Sequence, residues 1–387
     1  MTSGSDAQRS SWVRADPKIS NQSMAKPGFE FLWKVKLASD SKLSHALTPP
    51  VLLDRYIGYR GFRTLGFLAA GPDDIYALDI DLGRVEWRKR LALAASPAGC
   101  AEFSVNLARP TTVAFPPAGA GGQGGGLGGR GGPAHGAVGQ PLEGAVTIAQ
   151  VAAASRGTPD PPGGPGTPRR GAAGRGGPPP GFGRTPTVVH VLSSDGMLHT
   201  MYVSNGEEPQ PPVRLVPPSV KASGLIVLED TAYAATAQGC GSAENAVWSV
   251  DLASKQVANW RSSAKLSGSQ GPAIAPDGTL YVSTDGGDLV ALEPKTLRVK
   301  STYSGGKPGF TSSPVIFEYK QRILLAAATS DGRIHLLDAA AMGGTGHQTP
   351  LYKTSSAASP ATGALASWQD SAGTRWVLAP AAAAVVA

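Results

Sequence analysis

Few side chains in this 387-residue chain are spaced for chemistry. Its six histidines, His45, His135, His190, His199, His335 and His347, are isolated. None forms His-x-His or His-Glu-x-x-His, the spacings that bring two imidazoles onto one metal. His190 and His199 flank one hairpin, where they could meet, but among apolar neighbours they read as strand surface residues. Ser242 and Glu244 read as turn residues, and no nucleophile elbow or Gly-rich phosphate loop joins a strand to a helix. No catalytic residue and no metal ligand is nominated.

What does recur is a frame for positioning side chains. Five times an aliphatic strand ends in an acidic or polar residue and a turn: Ile75–Asp79, Leu198–Tyr202, Val247–Asp251, Leu289–Glu293 and Ile334–Asp338. Asp251 to Glu293 spans 42 residues, Glu293 to Asp338 spans 45, and Tyr202 to Asp251 spans 49. Asp79 to Tyr202 spans 123, of which 71 form a low-complexity insert, leaving 52. Repeats of this length with several short strands each predict a β-propeller, in which every four-stranded sheet buries both faces against its neighbours. About five full blades and part of a sixth are expected. The turns Asp195-Gly196, Asp277-Gly278 and Asp331-Gly332 are hairpin chemistry, because glycine accepts positive φ. Trp87, Trp248 and Trp260, with Trp368 and Trp376, read as aromatics that dock one blade on the next or fill its core.

The best copy, Asp277-Gly278-Thr279-Leu280-Tyr281-Val282 through Asp285-Gly286 to Ala291-Leu292-Glu293 and Thr296, resembles the PQQ-like propeller repeat. Leu297 stands where that family has glycine. Tyr76-Ala77-Leu78-Asp79 through Gly83 to Trp87 matches the repeat's second half. The family includes quinoprotein alcohol dehydrogenases and the assembly lipoprotein of the BAM complex, and the chain resembles the latter more. The resemblance implies a propeller that works outside the cytoplasm. For the catalytic members it also implies PQQ stacked between an indole and a disulfide of adjacent cysteines, polarised by a calcium ion. The two cysteines here, Cys100 and Cys240, are not adjacent, and Cys-x-x-Cys-His is absent. The cofactor is therefore not implied with the repeat. PQQ and calcium belong only to the alternative reading, a quinoprotein oxidoreductase whose cofactor ligands lie outside this chain. The favoured reading is a non-catalytic module that binds another protein. Cys100 and Cys240 fall in loops of the second and third blades. Either they pair, which would mark an oxidising compartment, or both remain thiols.

Composition fits such a protein. Charged residues make up 16% and no apolar run reaches about 18 residues, so no transmembrane helix is expected. Residues 1–25 read as a disordered segment without the basic and apolar regions of a signal peptide, and residues 26–387 as the propeller. The insert, residues 117–187, holds 23 Gly and 12 Pro and should be disordered, apart from the apolar stretch Ala145–Val151. It also carries +4 of the formal charge of +7. Only +3 remains for the blades, which argues against a nucleic-acid face, and the Arg-Gly repeats at Arg130 and Arg175 read as solvated loop. Phe31–Leu37, around Trp33, reads as an outer strand. Either it pairs with the strand near Trp376 to close the ring, or the blades form an open arc.

Overall fold

The computed structural model describes residues 6–11, 30–37, 47–58, 61–70, 73–91, 105–111, 187–238, 243–356, 363–370, 372–380 and 385–386, with single positions at 22, 25, 28 and 361. Residues 112–186, which take in all of the insert but Thr187, and both Cys100 and Cys240 lie outside the described residues.

The chain is an all-β propeller, and its described residues form six sheets that are antiparallel except for one short parallel pairing in sheet 3. Sheet 1 is β1 (Val51–Gly58), β2 (Gly61–Ala69), β3 (Asp74–Asp79) and β4 (Arg84–Arg90). In sheet 2, β5 (Asn106–Ala108) is followed by β7 (Val188–Leu192), β8 (Met197–Tyr202) and β9 (Val213–Arg214). The intervening β6 (Pro110–Thr111) runs parallel to the inner strand of sheet 3, giving that sheet a fifth strand. Its other four are β10 (Lys221–Leu228), β11 (Thr231–Ala237), β12 (Ala246–Asp251) and β13 (Val257–Arg261). Sheet 4 holds β14 (Ala273–Ile274), β15 (Leu280–Ser283), β16 (Asp288–Leu292) and β17 (Val299–Ser304). Sheet 5 holds β18 (Val315–Tyr319), β19 (Arg322–Ala328), β20 (Ile334–Asp338) and β21 (Tyr352–Lys353). Sheet 6 has three strands, β22 (Ala366–Gln369), β23 (Arg375–Pro380) and β24 (Val385–Val386). All five motif copies fall on the third strand of their blade, and the glycines of the three Asp-Gly turns have φ of +81°, +82° and +77°.

The burial pattern explains why the middle strands read as unbroken apolar runs. Successive side chains on a strand point to opposite faces, and here each face meets a different sheet. On β15, Leu280 and Val282 join a core with sheet 3, whereas Tyr281 joins one with sheet 5. On β19, Leu325 and Ala327 face sheet 4 while Leu324, Ala326 and Ala328 face sheet 6. The outer strands have one exposed face and alternate instead, as in Val257–Arg261.

Five such junctions link sheets 1 to 6 in order. Among the described residues, no core cluster joins sheet 6 to sheet 1. The remaining face of sheet 1 is covered by the stretch around Trp33. Val35 and Leu37 pack against Tyr76 and Leu78, and the Trp33 indole donates to the Ile80 carbonyl at 2.9 Å. Residues 33, 35 and 37 are half-buried and 32, 34 and 36 exposed. The stretch is thus amphipathic, as expected of a strand, yet it makes no ladder. It lies on the face of sheet 1 and is not paired with the strand of Trp376.

Residues 6–11 also depart from the expected disorder of residues 1–25. They run along the inner strands of sheets 4, 5 and 6, which hold them by main-chain hydrogen bonds. No helix among the described residues is long and apolar enough to cross a membrane.

Candidate functional site

Buried polar side chains gather where sheets 1 and 2 meet. The hairpin β7–β8 places Ser193, Ser194 and Asp195 in its turn and His199 on its second strand. The His199 ring lies with Nδ1 3.0 Å from Glu208 Oε2 and Nε2 3.1 Å from Ser193 Oγ. Lys89 of sheet 1 reaches the other Glu208 oxygen at 2.7 Å. Its charge and the contact with His199 hold the Glu208 carboxyl below its ordinary range against the opposing effect of burial. Serine, histidine and glutamate thus stand in the order of an acyl-transfer triad.

Two details give the cluster a different role. The Ser193 hydroxyl already has carboxylate and carbonyl acceptors in Asp195 and Met197, so its proton is directed into the turn rather than toward a base. Ser193 is also only 1% exposed, so a substrate carbonyl has no approach to Oγ. Beside it, Asp73 from the turn before β3 accepts from the Ser194 backbone N–H at 2.9 Å and from the Ser194 hydroxyl. Burial pushes the Asp73 carboxyl up, and those two hydrogen bonds pull it back only in part. The cluster is an inter-blade latch, with a sheet 1 carboxyl tied to a sheet 2 turn.

The histidines of this hairpin do not meet. His199 lies opposite Val191 and His190 opposite Thr200, so their side chains take alternate faces. His190 is buried rather than on the surface. Its Nδ1 lies 3.1 Å from the Thr200 hydroxyl, and burial pushes its pKa down to about 4. His335 sits between sheets 4 and 5, with Nδ1 2.9 Å from the Tyr303 hydroxyl and an edge-on contact with Phe310. Burial, aided by Lys353, lowers it to about 4 as well.

The three tryptophans singled out in sequence stand at different junctions. Trp87 packs on the core between sheets 1 and 2 and donates to the Val203 carbonyl at 2.9 Å. Trp248 packs on the core between sheets 2 and 3 with its indole N–H on the Thr236 hydroxyl. Trp260 packs on the core between sheets 3 and 4. Trp368 and Trp376 differ from the expected core role. They face each other across β22 and β23 and are 44% and 38% exposed, because among the described residues the core cluster of sheet 6 is shared with sheet 5 alone. Among the described residues no group of three or more His, Cys, Asp or Glu side chains could hold a metal ion.

Sequence reasoning had no access to Asp73, Glu208, Arg9 or Arg109. Asp73 and Glu208 act across a junction between segments more than 100 residues apart. Arg109 lies beside the inner strand of sheet 1, where Nη1 donates to the Leu52 carbonyl at 3.3 Å and burial lowers its pKa to about 10.

Sheet order and two-faced packing make the chain a member of the β-propeller class. No protein-family model and no curated protein matches it. Among solved structures it is similar to BamB from Moraxella catarrhalis, at 14% identity and a TM-score of 0.42 over 89% of this chain and 71% of that one. It is also similar to the computationally designed Ika8 protein, at 12% and 0.45 over 85% and 67%. A third is BBS1N, solved in complex with ARL6DN, at 9% and 0.44 over 87% and 76%.

Proposed function

We propose that this chain is a non-catalytic propeller of the PQQ-like repeat type, a module that binds another protein in the cell envelope. The repeat supports the family: the motif at residues 277–293 supplies β15, its tight turn and β16, and Thr296 follows. The observation that carries the binding role is the Trp368–Trp376 pair, exposed on the three-stranded sheet 6. Tryptophan loses much apolar contact with water when a partner covers it and is enriched in the centres of protein interfaces. Asp370 holds the Trp376 indole N–H at 2.9 Å, which fixes that ring on the surface. The extracytoplasmic location follows from the repeat resemblance, and a Cys100–Cys240 disulfide would agree with it.

The test compares the native chain with a Trp368→Ser/Trp376→Ser double variant. Each is cross-linked in bacterial envelope extract and each is reconstituted with PQQ and calcium for dye reduction. A stoichiometric envelope protein captured by the native chain and lost with the double variant is the expected result, with no PQQ-dependent rate. A substrate-dependent dye reduction that disappears without PQQ would establish the oxidoreductase instead.

A further inference from the structure

The inner strands of a propeller line its axis and present main-chain groups that no further strand pairs. Here part of that edge is already occupied. The Ile274 N–H of sheet 4 donates to the Ala7 carbonyl at 2.8 Å, the Ile316 N–H of sheet 5 to the Gln8 carbonyl at 2.9 Å, and the Ser367 N–H of sheet 6 to the Ser10 carbonyl at 2.9 Å. Three successive blades thus bind one short peptide by its backbone.

Arg9 adds a fourth blade. Its side chain is fully buried, with Nε donating to the Pro272 carbonyl at 3.0 Å and Nη2 to the Gly224 carbonyl of sheet 3 at 2.8 Å. Burial pushes this guanidinium down to about 9 and the Asp6 carboxylate holds it up, so it is cationic at neutral pH. A forked donor that remains charged suits carbonyls in two directions, which a single ammonium cannot reproduce. The peptide is also ordered by itself. The Asp6 side chain accepts from the Ser10 N–H at 2.9 Å and from the Ser10 hydroxyl, while the Arg9 N–H donates to the Asp6 carbonyl at 3.2 Å. Gln8 shows which position is not read. Its side chain is buried, yet among the described residues its Nε2 has no hydrogen-bond partner.

We infer that the inner edges of sheets 3 to 6 form a peptide-binding groove specific for an acid-x-x-arginine-serine segment, with residues 6–11 as its resident ligand. The segment clasps four blades in a propeller whose described residues supply no core between sheets 6 and 1. The groove reads the Arg9 side chain, the Asp6–Ser10 hydrogen bonds hold the segment in the shape that presents it, and position 8 tolerates an apolar side chain.

The test uses the full chain with a protease site placed between residues 12 and 20, cleaved after folding. A fluorescent peptide of residues 1–11 should then exchange into the cleaved protein at one per chain, compete with its unlabelled form, and bind the uncleaved protein far less. An Arg9→Lys peptide should bind at least about tenfold more weakly, whereas a Gln8→Leu peptide should bind as well or better, because no buried amide is left unpaired. If the cleaved chain loses stability once the native peptide is removed, added peptide should restore the thermal midpoint in proportion to its concentration. Equal binding to cleaved and uncleaved protein, equal binding of the Arg9→Lys peptide, or no binding and no rescue would each overturn the inference. In the uncleaved chain, Arg9→Lys should speed hydrogen exchange at Ile274, Ile316 and Ser367 over other inner-strand amides. Unchanged exchange there would also overturn it.

Discussion

Replacing Trp87 tests how the first two blades hold together. The indole lies on the core of Val51, Phe67, Val189 and Met201, with the Phe67 ring at 6.0 Å and tilted by 42°. Its N–H is the donor for the Val203 carbonyl, and Val203 is 2% exposed. The ring lies over Gly206, at φ +73°, where a Cβ would stand 2.9 Å from Trp87 Cε3. A fully buried tryptophan truncated to alanine costs about 3–5 kcal/mol. Trp87 is half-buried, so about 2–3 kcal/mol is expected for Trp87→Ala from packing, and about 1 kcal/mol more from the orphaned carbonyl. Trp87→Phe keeps most of the contact and should cost about 1–2 kcal/mol. Gly206→Ala should be destabilising in the native chain and less so beside Trp87→Ala, since the steric part vanishes while the strain of positive φ remains. Equilibrium urea unfolding followed by circular dichroism gives all four values. A cost below about 1 kcal/mol for Trp87→Ala, or additivity of the two substitutions, would refute the view that this ring holds the junction.

His190 and His335, both depressed to about 4 by burial, bind protons in the unfolded chain at higher pH than in the folded one. Their contribution is intact above about pH 6.5 and is lost as pH falls toward 4. The shift at His190 corresponds to about 3 kcal/mol, so His190→Gln should flatten the pH dependence of unfolding in that window. An unchanged slope would contradict the burial argument. Trp33→Ala removes the indole hydrogen bond to Ile80 and should loosen the stretch whose Val35 and Leu37 cover Tyr76 and Leu78, raising apolar-dye binding and self-association, measured by fluorescence and light scattering. Trp368→Ser should leave thermal stability within about 1 kcal/mol of native, the range for an exposed site. A large loss would mean that the ring packs inside the protein.

The blades were legible because their physics is local. An apolar run that must face two neighbouring sheets, then an acidic residue, then a turn with glycine at positive φ is written into about 15 consecutive residues, and β15–β16 follow it residue by residue. The period of these units placed five third strands correctly. What failed had a partner elsewhere in the chain. Trp33 has the alternation of a strand, and alternation states which side chains are buried without stating which surface buries them. Trp368 and Trp376 look like core aromatics for the same reason. Their exposure depends on how many neighbours sheet 6 has, which no feature of β22 or β23 encodes.

The axial segment marks the limit of pattern reading most sharply. Asp6-Ala7-Gln8-Arg9-Ser10 is short, polar and without periodicity, and composition alone classes it with disordered chain. Its order comes from the groove: the Ile274, Ile316 and Ser367 N–H groups would otherwise lack partners along the inner edges, and such groups bind whichever backbone reaches them. Arginine rather than an apolar residue occupies the buried position because the surrounding carbonyls of Gly224 and Pro272 are acceptors with no other use for a hydrocarbon side chain. Side-chain charge in the sequence therefore pointed toward solvent, while the fold had prepared a polar interior for it. The same reversal holds at Asp73 and Arg109, where main-chain groups of a distant blade supply what the local sequence lacks. In a propeller, the faces a strand buries are set by its own residues and the surroundings of each inner edge by how the blades assemble, so the axis is where sequence and structure part.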